Sequence, residues 1–159
     1  MDSLILKLLP LSNKGIYFRK EGEAFVIVGL SKNTDLKNLN LELENEWVHL
    51  VRQEAITTVR NSLLGCQQKL RPDNFDDLTT RLQLGIINDS QRQTLINYYN
   101  QVDELEQTAQ SLIDTINTST IDEINNIKWP DWITWNKVPI KPQFVLKHEI
   151  DDDTNIERI

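Results

Sequence analysis

The chain has 159 residues, 39% of them hydrophobic and 26% charged, with five glycines, five prolines and a formal net charge of −7. This length suits one domain or a small domain with appendages, and the composition argues against a fibrous or wholly disordered chain. Residues 44–135 carry seven basic and fourteen acidic side chains, and the stretch from Gln93 to Ile127 has six carboxylates and no Lys or Arg. That is the reverse of the clustered cations a nucleic-acid surface needs.

The first residues, "MDSLILKLLPL", are apolar but interrupted by Asp2, Lys7 and Pro10, so they do not read as a signal peptide. No run approaches the roughly 20 apolar residues of a membrane span. The single cysteine, Cys66, permits no internal disulfide and fits a reducing compartment. The expectation is a soluble, cytoplasmic protein with no membrane segment.

Two apolar, β-branched and aromatic runs come next, 16–19 and 24–30, separated by Lys20-Glu21-Gly22-Glu23. That pattern predicts a hairpin with a Gly-containing loop. Leu4–Leu9 offers a third strand, ended by Pro10. "SKNTDLKNLN" (31–40) reads as a polar connector.

From Glu44 the period changes. Val48, Val51, Ala55, Val59 and Leu63, with Ile56 and Leu64 beside them, predict an amphipathic helix stopped by Gly65. A shorter helix is expected over 74–84, between Pro72-Asp73 and Gly85. The strongest periodicity runs from Gln91 to Ile116: Leu95, Tyr98, Val102, Leu105, Ala109, Leu112, Ile113 and Ile116 form one stripe, with Tyr99 at its edge. Ser90 and Gln93 would cap this helix, which extends about 39 Å at 1.5 Å per residue. Thr120 and Glu123 form a second capping pattern, for a short helix ending at Trp129-Pro130. The predicted fold class is therefore α+β: a small N-terminal antiparallel hairpin or three-stranded sheet in a β-rich part (1–43), then a helical part with one long helix ending in a Trp-rich segment (44–135), then an extended, partly flexible acidic tail (136–159).

Catalytic patterns are lacking. His49 and His148 have no partner at a spacing that guarantees contact, and Cys66 has no accompanying His pattern. Asp76-Asp77 and Asp103-Glu104 are adjacent pairs, which on a helix point about 100° apart. "DDDTN" (151–155) lacks the glycine and terminal glutamate of a calcium loop. The five glycines are all separated, so none forms a phosphate cradle. The reading is a non-enzyme with no catalytic residue, no metal site and no cofactor.

Aromatic residues point to binding instead. "KWPDWITW" (128–135) holds three of the four tryptophans, Trp129, Trp132 and Trp135, with Pro130 between the first two. Two readings stand. Trp129 and Trp132, three residues apart, could fold back together as a core plug; or the rings could stay exposed and grip another protein, Trp being the residue most enriched in binding hot spots. The candidate partner-binding residues are Trp129, Pro130, Trp132, Trp135 and Tyr99.

Three motifs in order, "TVRNSLLG" (58–65), "QTLINYYNQVDEL" (93–105) and "IKWPDW" (127–132), resemble the tail fibre assembly chaperones of bacteriophages and related contractile particles. Those proteins join a β-rich N-terminal part to a helical C-terminal part. That part has a helix ending in Arg, a polar residue and Leu-Leu, a later helix with a Tyr, and a final Trp-Pro. The chain departs from the pattern in three ways. Asp73-Asn74-Phe75 stands for the family's Asp-Trp, Tyr99 occupies a position where Arg is common, and the interval from Tyr99 to Trp129 is longer than usual. The resemblance implies a non-catalytic chaperone in the bacterial host cytoplasm. It would bind the distal part of a tail fibre protein, help it trimerise, and in some cases remain on the assembled particle. The alternative is a structural or adaptor subunit of a phage tail-like particle, with another particle subunit as its partner. Neither reading involves nucleic acid or a membrane, and neither fixes the oligomeric state.

Overall fold

A computed structural model describes residues 35–141 and four backbone strand segments: β1 (Tyr17–Glu21), β2 (Ala24–Val28), β3 (Phe144–Leu146) and β4 (Glu157–Arg158). Leu4–Leu9, His148 and the 151–155 run lie outside the described residues. The helices are α1 (Leu36–Leu70), α2 (Phe75–Gln83), α3 (Asp89–Thr118) and α4 (Ile121–Asn125).

The expected α+β class is corrected by this architecture. Residues 35–141 are 74% helical and contain no strand. From Asp35 onward the polar connector and the end of the expected β-rich part are the start of α1: Asp35 Oδ1 accepts the backbone N–H groups of Lys37 (3.1 Å) and Asn38 (3.2 Å), which satisfies donors that a helix start leaves open. Leu36, Leu39 and Leu43 then succeed one another at helical spacing. Strands β1 and β2 pair antiparallel, Tyr17 opposite Val28 through Glu21 opposite Ala24, but they do not stand as a separate N-terminal sheet. The strand order is β3-β2-β1-β4, with β3 parallel to β2, so the strands draw on both ends of the chain. There are also two long helices, of 35 and 30 residues, in place of one.

The chain divides into two compact units, residues 1–53 with 137–159, and residues 54–136. Helix α1 contributes to both, and its buried positions Leu43, Trp47, Val51, Ala55 and Val59 recur every four residues. In the first unit Trp47 is 1% exposed, and its Nε1 donates to the Pro139 carbonyl at 3.0 Å. Lys141 Nζ lies 3.3 Å from Glu44 Oε1, so the segment after Asn136 is laid against the start of α1.

In the second unit α1 continues through Gly65, where a Cβ would meet nothing within 4 Å. A helical Gly costs about 1 kcal/mol relative to Ala, too little to stop a helix with cooperative turns on both sides. Gln67 Nε2 donates to Glu106 Oε1 at 2.9 Å, tying α1 to α3. Helix α2 ends in a Schellman motif: Gly85 N–H bonds to Leu82 O (3.1 Å) and Ile86 N–H to Arg81 O (3.0 Å), with Gly85 at φ +70°. That left-handed conformation is why a glycine stands there. Leu78, Ile87 and Leu95 form a small core with Phe75 packed against it.

Helix α3 starts two residues earlier than the Ser90 pattern suggested. Asn88 is the cap: its Oδ1 accepts Gln91 N–H (2.8 Å) and Gln91 Oε1 accepts Asn88 N–H (3.2 Å). Helix α4 carries the Thr120–Glu123 box, both bonds present, but it ends at Asn125, before the Trp segment. Ile116, Ile121, Ile124 and Ile133 are buried around this end of the unit.

Candidate partner-binding site

The Trp-rich segment is a hook built of turns. Trp129 N–H donates to Ile127 O (3.0 Å), and Ile133 N–H donates to Pro130 O (2.9 Å). The second bond closes a four-residue turn with Asp131 and Trp132 at its centre. Proline suits its first position, where no N–H is required. Ile133, 5% exposed, is the residue that anchors the turn inside the unit.

The turn changes which rings meet. Trp129 stacks on Trp135, centroids 5.6 Å apart and planes inclined at 27°, where the core-plug reading, one of the two, had set it beside Trp132. Six residues of chain that reverse direction bring the flanking rings together and leave the central one out. Trp135 Nε1 donates to Asn125 Oδ1 at 3.2 Å, fastening the hook to the end of α4. Trp129 Nε1 is buried with no hydrogen-bond partner, a group whose desolvation costs about 1–3 kcal/mol. Trp132 takes part in no ring contact or hydrogen bond with the described residues. It is half-buried, as are Trp129, Pro130 and Trp135.

Tyr99 belongs to a different group. It is 46% exposed and its ring contacts are with Phe75 (6.3 Å) and Tyr98 (5.3 Å). Phe75 and Tyr98 meet edge to face at 5.3 Å. The guanidinium of Arg71 sits 4.4 Å above the Phe75 ring while pairing with Asp76 at 2.7 Å. Tyr99 lies 19 residues before the end of α3, about 28 Å along the helix axis. The five candidate residues thus fall into two groups, the hook and an aromatic cluster at the start of α2; Tyr99 is the exposed member, and Trp132 is the half-buried ring without a stacking partner.

The titratable side chains of the described region do not converge. Asp76 and Asp77 engage different arginines, Arg71 and Arg81. His49 is exposed and Cys66 is a half-buried free thiol. Among the described residues no three His, Cys, Asp or Glu side chains gather where they could hold a metal ion, and no helix is long and apolar enough to cross a membrane. A polar depression runs along α3, lined by Gln107, Gln110, Ser111, Asp114, Thr115 and Thr118.

Sequence periodicity missed one surface feature. Leu82, Leu84 and Ile86, around the α2–α3 turn, are 44%, 66% and 62% exposed. The signal was present in "LQLGII" (82–87), where four large apolar residues surround a glycine that turns the chain. No family model, no curated protein and no solved structure matches this chain.

Proposed function

We propose that the protein is a non-enzymatic binding protein that assists the folding and trimerisation of a phage-type tail fibre in the host cytoplasm, and that it can stay bound to the fibre's distal end. The observation that carries this reading is the state of Trp132. Its two neighbours are committed within the chain, one ring stacked on the other and one indole hydrogen-bonded to Asn125. Trp132, at the centre of a pinned turn, is held by neither kind of contact. A partly exposed Trp on a rigid turn is suited to a hot spot, because little conformational freedom is lost when a partner covers it. The ordered motifs "TVRNSLLG", "QTLINYYNQVDEL" and "IKWPDW" supply the fibre-chaperone part of the reading, with a fourth departure beside the three in the sequence: the Leu63-Leu64 pair lies inside α1, which runs on to Leu70.

The physical need for such a helper is general. Trimeric fibres have high contact order and unpaired strand edges before assembly, so they fold slowly and aggregate. The test is co-expression of a phage-type tail fibre protein with the wild-type chain, with Trp132→Ala, or alone. The proposal expects soluble trimer with the wild type, and little with Trp132→Ala or without the chain. Equal yields of trimer in all three would refute it. Stoichiometric retention in purified particles, without any effect on fibre folding, would point instead to an adaptor subunit.

A further inference from the structure

We propose that the indole N–H of Trp129 is the hook's hydrogen-bond donor to the bound protein, and that its acceptor is a main-chain carbonyl. The inference rests on the reading of the hook as a fibre-binding site and names the polar contact that site makes.

Buried donors in folded proteins are nearly always paired, and an exception calls for a reason. Among the described residues, Trp129 Nε1 is the one buried side-chain nitrogen or oxygen with no hydrogen-bond partner. The fold does supply acceptors to other indoles. Trp47 Nε1 donates to the Pro139 carbonyl at 3.0 Å, and Trp135 Nε1 to Asn125 Oδ1 at 3.2 Å. Trp135 is stacked on Trp129, so a paired donor and an unpaired one sit in the same two rings. A dry, unpaired donor destabilises the free chain. Departures of this kind gather at functional sites, where a second requirement offsets them. This one lies three residues from Trp132, inside the segment that carries the proposed contact.

Ile133, not Trp129, anchors the hook in its unit, and the Trp129 ring is only half-buried. Its backbone N–H reaches no further than Ile127 O, a three-residue turn. In the proposed complex the Trp129 ring swings off Trp135 and Nε1 meets its acceptor. The 130–133 turn stays closed and Trp135 stays on Asn125. The dryness of the site selects the kind of acceptor. A carboxylate drawn in would lose its hydration for one uncharged donor, a far larger cost than a carbonyl bears. The unpaired strand edges of an unassembled fibre display such carbonyls in a row.

The test replaces Trp129 by benzothienylalanine, which keeps the fused rings and sets sulfur in place of the N–H. In the free full-length chain this variant should unfold at a higher urea concentration than the wild type, because the stranded donor is gone. Its affinity for a purified phage-type tail fibre protein should fall about fivefold, the worth of one neutral hydrogen bond. A gain in stability joined to a loss of affinity is a signature that a purely structural ring does not give. If the variant fails to fold, the indole N–H resonance of Trp129 in the unmodified chain decides. It should move downfield when the fibre is added, and a resonance that stays in place would overturn the proposal. A folded variant less stable than the wild type would also overturn it. Fibre bound equally by the wild type and the Trp129 variant, but lost with Trp132→Ala, would overturn this inference alone. No fibre bound by any of the three would overturn it together with the reading it rests on.

Discussion

Replacing Trp135 with alanine separates the structural rings of the hook from the ring left over. Trp135 is half-buried, stacked on Trp129 at 5.6 Å and hydrogen-bonded to Asn125. Truncation exposes or empties roughly 100 Å² of apolar contact, worth about 2.5 kcal/mol at 25 cal/mol per Å². The stacked pair adds about 1 kcal/mol beyond its area, and the indole hydrogen bond about another 1 kcal/mol. Partial relaxation of the turn offsets some of this, so the expected cost is about 3–4 kcal/mol, within the range for truncating large aromatics in cores. Trp132→Ala loses a ring of the same half-buried class, worth about 2.5 kcal/mol before relaxation, but no stacking partner or hydrogen bond, and should cost about 2 kcal/mol. Urea unfolding followed by far-ultraviolet circular dichroism reads both variants without relying on tryptophan fluorescence. A Trp132→Ala variant as unstable as Trp135→Ala would refute the division of the hook into two anchoring rings and one spare ring.

Other substitutions test the helices and the first unit. Gly65→Ala should stabilise the protein by about 0.5–1 kcal/mol, because the position is helical and open. Gly85→Ala should destabilise it by about 1 kcal/mol through the positive φ alone; opposite signs in thermal melts check the pair. Asn88→Ala removes the α3 capping box and should cost about 1–2 kcal/mol in urea unfolding, with Asn88→Ser recovering most of it. Trp47→Phe keeps a buried ring but loses the bond to the Pro139 carbonyl. It should cost about 1 kcal/mol and speed proteolysis within residues 137–159; an unchanged digestion rate would show that this bond does not hold the segment.

Long elements were easier to read in the sequence than their ends. The α3 stripe, Leu95 to Ile116, spans about six turns, so its 3.6-residue period is unambiguous. The Thr120–Glu123 box is reciprocal and stands alone, so its position was fixed. Around Asn88 two capping patterns overlap, 88/91 and 90/93, and sequence does not rank them; extended backbone at Asn88 does. Gly65 and Gly85 are the same residue type after an apolar run. One is carried inside a 35-residue helix and the other turns the chain at φ +70°. The difference lies in the residues beyond each glycine: two positions after Gly85 comes Ile87, which needs to return to the core. The Lys- and Asn-rich stretch before Glu44 looked like a connector because its polar residues hide leucines at helical spacing. For the candidate site, residue types were legible and arrangement was not. Which tryptophans pair depends on the 130–133 turn, and Tyr99 joins Phe75 through a helix–helix contact that spacing cannot show.

The division of the chain sets an order of events during synthesis. Residues 54–136 form one contiguous unit, complete once Asn136 has left the ribosome. The other unit needs residues 1–53 together with 137–159, so its amino-terminal half lacks its 137–159 complement while more than eighty residues are made between them. Domains generally fold as they emerge, but in this chain the later-started unit finishes first. The waiting half includes Trp47, which gains its Pro139 partner only at the end. A chain truncated after Asn136 would therefore show a folded helical unit and an unfinished one, in which Trp47 lacks its Pro139 partner.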